Sequence, residues 1–300
     1  MEIDAPLPPP RLGVPSGWYR ARVRGRPGSQ SVVRIAVRGG EIARSEDEIA
    51  TEEPLEIRVE GPDLKATRVA VTMRTPGHDP ELAVGFLCTE GLLAGREDIV
   101  GRRPAELTLL DGGAQNIATV CIRKPFDAAL LQRNFYATSS CGICGKASID
   151  QVHLKAPPLP SGPKLRHRVL VGLPDALRRA QAVFERTGGL HAAGLFDLDG
   201  NLRVIREDVG RHNALDKVVG RALLDGEVPL HERVIVVSGR ASFELVQKVA
   251  MAGSPFLCAV SAPSSLAVEA ASRFGVTLVA FLRGDGFNVY AGAERIDLEA

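Results

Sequence analysis

The second half of the chain carries the tightest constraint on its fold. Three short, near-continuous apolar runs occur there: Val234-Ile235-Val236-Val237, Phe256-Leu257-Cys258-Ala259-Val260 and Val276-Thr277-Leu278-Val279-Ala280-Phe281. Two stretches with helical patterning, residues 243–252 and 265–274, separate them. Strands apolar on both faces and divided by helices predict a parallel sheet covered on both sides. Around this core, residues 191–197 and 201–206 read as a hairpin turned by Asp199-Gly200, and residues 287–290 as a closing strand. Leu215, Val218, Val219, Ala222 and Leu223 recur at helical spacing over residues 212–224. Pro174 and Gly188-Gly189 bracket a further helix over 175–187.

Before residue 163 the period changes. Val32 to Arg38 leads into a Gly39-Gly40 turn, Leu55 to Glu60 alternates apolar and charged residues, and Val69 to Arg74 repeats the strand pattern. Pro80 opens a helix over 81–93 whose apolar face holds Leu82, Phe86 and Leu93. Weaker strand patterns cover 106–110 and 117–122. Four prolines fall within residues 156–163, the clearest boundary in the sequence. The expected organisation is a Pro-rich tail over 1–16 without fixed structure, a β-rich domain over 17–135, a linker over 136–163, and an α/β domain over 164–300.

A formal net charge of +1 provides no overall field to favour nucleic acid, a membrane surface or an acidic partner. Arg20, Arg22, Arg24 and Arg26 alternate, with Arg34 and Arg38 following, and read as a solvated strand face. No apolar run reaches transmembrane length, and the first residues lack the basic and apolar regions of a secretory signal. Five cysteines are too few and too scattered for a secreted disulfide framework. These features predict a cytoplasmic protein with reduced thiols.

Two of those thiols stand three residues apart, in Ser139-Ser140-Cys141-Gly142-Ile143-Cys144-Gly145-Lys146. The spacing leaves three chemistries open: a shared metal, thiol–disulfide exchange, or a persulfide carried on one sulfur. A structural zinc wants about four ligands, and no second Cys pair or His pair appears at finger spacing. A thioredoxin-type dithiol sits between a strand and a helix, whereas this pair lies among Gly and Ser. A small-residue loop suits a carrier that must reach two sites, one loading sulfur and one receiving it. Cys88 on an apolar helix, Cys121 on a strand pattern and Cys258 in a buried strand read as structural.

Open α/β sheets bind ligands beyond the carboxyl ends of their parallel strands. Three loops rich in small residues fall there: residues 238–242, 261–265 and 283–286. Small residues, free amides and Arg240 and Arg283 suit a phosphate or diphosphate, although no standard phosphate-loop or dinucleotide fingerprint is present. Arg206-Glu207-Asp208-Val209-Gly210-Arg211-His212-Asn213 joins a strand to a helix start, and Asp208 and His212 are its expected functional members. His191, opening a strand after Thr187-Gly188-Gly189-Leu190, reads as a structural histidine.

Taken together, Ser-Cys-Gly-Ile-Cys-Gly at 140–145, Thr-Gly-Gly-Leu-His-Ala-Ala at 187–193, Glu-Asp-Val-Gly-Arg-His-Asn-Ala-Leu-Asp-Lys at 207–217 and Val-Ser-Gly-Arg at 237–240 resemble the formate dehydrogenase accessory sulfurtransferase family, FdhD. Thr75-Pro-Gly-His-Asp-Pro-Glu-Leu-Ala-Val-Gly-Phe-Leu87 is similar to its N-terminal motif. The resemblance implies an α/β fold: a small β-rich α+β N-terminal domain followed by a cytidine-deaminase-like three-layer α/β/α domain. It implies a sulfurtransferase that takes sulfur from a cysteine desulfurase and passes it to the molybdenum (or tungsten) bis(molybdopterin guanine dinucleotide) cofactor of formate dehydrogenase. It further implies Cys141 as persulfide carrier, Cys144 as its assistant, a homodimer, and a cofactor-binding segment at Phe281, Leu282, Arg283, Gly284, Asp285 and Gly286. Lys146 and nearby amides would favour the Cys141 thiolate. The competing reading is a non-enzymatic cofactor-binding chaperone. Zinc-dependent deaminase chemistry is not expected, because Ala193 stands where the proton-shuttling Glu of a His-x-Glu motif would be.

Overall fold

The computed structural model describes residues 27–100, 116–125 and 158–299. Strands β1 (Ser29–Arg38) and β2 (Glu41–Ala50) form an antiparallel hairpin that is hydrogen-bonded to no other strand among the described residues. Gly39 and Gly40 both take positive φ at its turn, which matches the right-handed twist of the pair. Strand β3 (Glu53–Gly61) pairs antiparallel with β4 (Leu64–Arg74) and parallel with β5 (Ile117–Cys121), giving the order β4-β3-β5. Helix α1 (Asp79–Thr89) follows β4 with Pro80 in its first turn, and Leu93 lies beyond its end.

The second half builds one six-stranded sheet in the order β12-β11-β10-β9-β7-β8. Its strands are β7 (His191–Phe196), β8 (Leu202–Asp208), β9 (Val234–Val237), β10 (Phe256–Ala259), β11 (Thr277–Arg283) and β12 (Gly286–Ala291). The three apolar runs are parallel as expected, as β9, β10 and β11, and the hairpin β7–β8 is antiparallel as expected; β7 also pairs antiparallel with β9 and β12 with β11, which makes the sheet mixed.

The helix placed over 175–187 is corrected. Helix α2 (His167–Ala180) runs through Pro174, and a separate short helix α3 (Ala182–Thr187) follows a break at Gln181. Pro174 removes one backbone donor, but Leu170, Leu173 and Leu177 form a buried stripe that pins both sides of the proline to the sheet. Helices α4 (Arg211–Leu224), α5 (Phe243–Met251) and α6 (Ser265–Phe274) complete the set and pack on the opposite face. A two-residue clasp, β6 (Leu165–Arg166) paired with β13 (Ile296–Asp297), lies outside the main sheet.

One apolar cluster runs from Leu55, Ile57 and Val59 of β3 through α1 and α4 to Leu278 and Ala280 of β11. At its centre α1 and α4 touch backbone to backbone. A Cβ added to Gly85 would fall 1.8 Å from the Asp216 carbonyl oxygen, and one on Gly220 would fall 1.8 Å from that of Glu81. Glycine inside a helix costs about 1 kcal/mol relative to alanine, and here it permits the crossing.

Candidate functional site

The carboxyl ends of β9, β10 and β11 meet the N-termini of α5 and α6 along one edge of the sheet. Backbone bonds hold its loops together. Ala241 N–H donates to the Ala262 carbonyl (3.1 Å), Ser264 N–H to that of Ala241 (3.0 Å) and Phe281 N–H to that of Ser261 (3.2 Å). Phe281 itself sits at φ +52°, a left-handed conformation uncommon for an aromatic residue, where β11 and β12 slip register. The Arg283 guanidinium lies 5.8 Å from the Phe281 ring centroid. Arg283, Gly284, Asp285 and Gly286 are exposed, but the Leu282 side chain is fully buried in the core, leaving it only backbone to offer a ligand.

Helix α5 starts at Ser242, whose hydroxyl does not cap it, so the α5 N-terminus lacks a side-chain acceptor of its own. His212, in the first turn of α4, places Nε2 3.3 Å from Ser242 Oγ and 2.9 Å from Glu244 Oε2. The buried Nε of Arg211 has no hydrogen-bond partner among the described residues. Across the edge, a Cβ on Gly239 would lie 3.3 Å from His191 Nδ1, so the glycine makes room for this imidazole. Burial, then the positive charges of Arg211 and His212, hold the His191 pKa below its ordinary value. His191 therefore belongs to this edge rather than to the scaffold alone. Ser238 is committed to the sheet: its Oγ accepts from Ala192 N–H at 2.9 Å.

The preceding charges serve another purpose. Arg206 chelates Glu81 of α1 at 2.5 and 2.8 Å. Burial alone would raise the Glu81 carboxyl, but Arg206 and His78 hold its pKa at about 2. Glu207 accepts from the N–H groups of Val183 (2.9 Å) and Phe184 (2.7 Å), capping α3. Asp208 is fully buried and internally satisfied by Lys217 Nζ (2.7 Å), Thr75 N–H (3.1 Å), Gly210 N–H (2.8 Å) and Asn213 Nδ2 (3.1 Å). Lys217 also donates to the Thr75 carbonyl at 2.8 Å, and Asn213 to that of Met73 at 2.7 Å. The functional expectation for Asp208 is corrected accordingly: its carboxylate welds the 73–75 segment to α4 and has no oxygen left for a ligand. A second buried pair, Lys248 with Asp216 at 3.0 Å, adds Thr89 and ties α5, α4 and α1 together.

Sequence reading missed Glu244 and the paired roles of Thr75 and Lys217. Glu244 carried a signal, being two residues past a Ser at a helix start. The Thr75 and Lys217 contacts join residues more than a hundred positions apart and carried none. Cys141 and Cys144 lie outside the described residues. Among the described cysteines, Cys88 and Cys258 are buried and Cys121 is partly so. Burial with the Asp216 charge pushes Cys88 up to about 12, and burial raises Cys121 and Cys258 as well. All three are held as thiols, poor nucleophiles at neutral pH. Among the described residues no group of three or more His, Cys, Asp or Glu side chains could hold a metal ion.

The FdhD/NarQ family model matches residues 50–297 of this chain. A sulfur carrier protein FdhD from Streptomyces coelicolor is 52% identical over 274 residues, covering 89% of this chain and 95% of the relative. One of the same name from Mycobacterium tuberculosis is 53% identical over 258 residues, covering 83% and 91%. A crystal structure from Desulfotalea psychrophila, assigned as a formate dehydrogenase accessory protein, superposes with a TM-score of 0.70 at 25% identity, covering 90% of this chain and all of that one.

Proposed function

Since this chain belongs to the FdhD/NarQ family, we propose that it is a sulfur carrier required for formate dehydrogenase activity, working as a sulfurtransferase through Cys141. The Cys141 thiolate attacks the outer sulfur of a cysteine desulfurase persulfide. A new S–S bond forms on Cys141, and the desulfurase cysteine leaves as thiolate. The acceptor is the molybdenum bis(molybdopterin guanine dinucleotide) cofactor, bound as substrate before its insertion into the dehydrogenase. Attack of Cys144 on Cys141 Sγ expels the outer sulfur as hydrosulfide, and the resulting disulfide is reduced by cellular thiols.

One observation supports this reading: among the described cysteines Cys88 and Cys258 are buried and Cys121 is partly so, with burial raising all three, which favours the Cys141–Cys144 pair as the source of the nucleophile. The sheet edge supports the acceptor side. An N-terminus of α5 without a side-chain cap, the orphan Arg211 Nε and exposed Arg240 and Arg283 suit the diphosphate arms of a dinucleotide. Residues 281–286, 238–242 and 211–212 would hold those arms, with Asp208 bracing them from below. The protein would act as a homodimer in the cytoplasm. Among the described residues no helix is long and apolar enough to cross a membrane.

The test is intact mass after incubation with a cysteine desulfurase and cysteine. The expected result is a reductant-labile gain of one sulfur on Cys141, absent in Cys141→Ala. No gain with an active desulfurase would transfer the role to a cofactor-binding chaperone, which a double Cys141→Ala/Cys144→Ala variant would then still perform.

A further inference from the structure

The junction of α2 and α3 holds a polar side chain with nothing to bond. Gln181 stands at the break between the two helices, with φ −80° and ψ 73°. Its backbone is used on both sides. The N–H donates to the Arg178 carbonyl at 3.3 Å, and the carbonyl accepts from Glu185 N–H at 3.0 Å. The side chain is different: Gln181 is only 4% exposed, yet its amide has no hydrogen-bond partner among the described residues. It opens into a hollow of about 510 Å³ that it lines together with Arg178, Arg179, Ala182 and Glu185. Buried polar groups are almost always bonded, so an amide kept in such a place calls for a partner from outside.

The charges around the hollow leave one cation over. Arg178 is committed: its Nη2 lies 2.7 Å from Glu185 Oε2, and its guanidinium lies 4.8 Å from the Phe184 ring centroid. That pair also neutralises the acid in the lining. Arg179 is exposed and has no ion-pair or hydrogen-bond partner among the described residues. The walls are fixed in advance, because Glu207 holds the Val183 and Phe184 N–H groups and Arg186 pairs with Glu48 at 3.0 Å. A side-chain amide both donates and accepts, so it can pair with the N–H and the carbonyl of a peptide backbone. A free guanidinium grips a carboxylate. A phosphate has acceptors only and would leave the Gln181 carbonyl oxygen unpaired. The hollow is open to solvent and built by a single helix junction, which suits a chain segment held at other points as well.

We propose that the α2–α3 junction is a docking notch for an acidic peptide segment of a partner protein, with Gln181 pairing a backbone peptide group and Arg179 a carboxylate side chain. The probe is a fluorophore-labelled peptide of alternating Gly and Glu, read by anisotropy against the full chain at low salt, with a Gly and Gln peptide of equal length as control. The Glu peptide should bind saturably and the Gln peptide should not. Arg179→Glu should weaken binding by about tenfold or more, since it replaces the free cation with a repelling charge. Gln181→Leu keeps the bulk and removes the amide; it should weaken binding by roughly fivefold without lowering the midpoint of thermal unfolding. Arg168→Glu makes the same charge change on an exposed position near the start of α2 and should leave affinity at the parent value. Absence of saturable binding to the parent chain would overturn the proposal. So would equal losses in Arg168→Glu and Arg179→Glu, which would mean diffuse charge, or a Gln181→Leu chain that binds as tightly as the parent. Displacement of the peptide by an equal concentration of inorganic phosphate would overturn it in favour of a simple anion site. None of those outcomes touches the sulfur-carrier reading, which the Cys141 mass measurement decides on its own.

Discussion

Asp208 and His212 are four residues apart and occupy opposite kinds of site. Asp208 has no exposed surface and four internal donors; His212 sits at an open edge, sharing one nitrogen between Ser242 and Glu244. Both looked like members of one charged loop. The weld holds the β3–β5 layer and α1 against α4, and the edge lies just beyond it, so rigidity in the first sets geometry in the second. A dense run of charge next to a ligand site is thus not itself a list of ligand contacts. Fully satisfied, buried members support, while a member with a donor left unpaired, as Arg211 has at Nε, is the one a ligand would engage.

This division can be broken by mutation. The largest effect is expected where the weld is tightest: Gly220→Val drives a side chain into the Glu81 carbonyl and should cost more than about 4 kcal/mol, read as loss of the cooperative unfolding transition. Lys217→Met leaves the Asp208 carboxylate buried and unpaired and should destabilise the fold by about 3–5 kcal/mol in denaturant unfolding. Were Lys217→Met tolerated, the assignment of Asp208 to the scaffold would fail.

At the edge the pattern should invert. Arg211→Ala should move stability by less than about 1 kcal/mol yet weaken guanosine diphosphate binding by about tenfold in calorimetry, because the lost donor is one that ligand would use. Equal affinity for variant and parent would remove Arg211 from the site. The smallest effect is a pH dependence. The folded-state pKa of His191 lies below its ordinary 6.5, so the folded state binds fewer protons than the unfolded state between those values. The stability this represents is present above about 6.5 and is lost as pH falls through the depressed value; His191→Gln should flatten the stability profile there.

Much of the architecture could be read from residue patterns because its signals are local. Val234–Val237 emerged with the expected bounds, residues 243–252 and 265–274 became α5 and α6 to within a residue, and Asp199-Gly200 turned its hairpin. The edge was legible too, since small residues at strand ends are a local feature. Pro174 misled because its penalty is local while the Leu170–Leu173–Leu177 stripe that outweighs it needs the sheet beneath. The direction of β7 and the role of Asp208 were not legible, since both depend on partners supplied by distant parts of the chain. His191 was judged by its neighbours in sequence, whereas its environment is made by Gly239, Arg211 and His212.

The clasp between β6 and β13 has a consequence for the order in which the molecule is finished. Leu165 pairs with Ile296, and Arg295 beside it is buried with one nitrogen on the Pro160 carbonyl at 3.0 Å. The strand partner of β6 and the arginine on Pro160 are therefore synthesised about 130 residues after them, a delay of roughly ten seconds at ribosomal speeds. During that interval the sheet from β7 to β11 can assemble, but β6 has no strand to pair with. Residues 295–297 complete its anchorage.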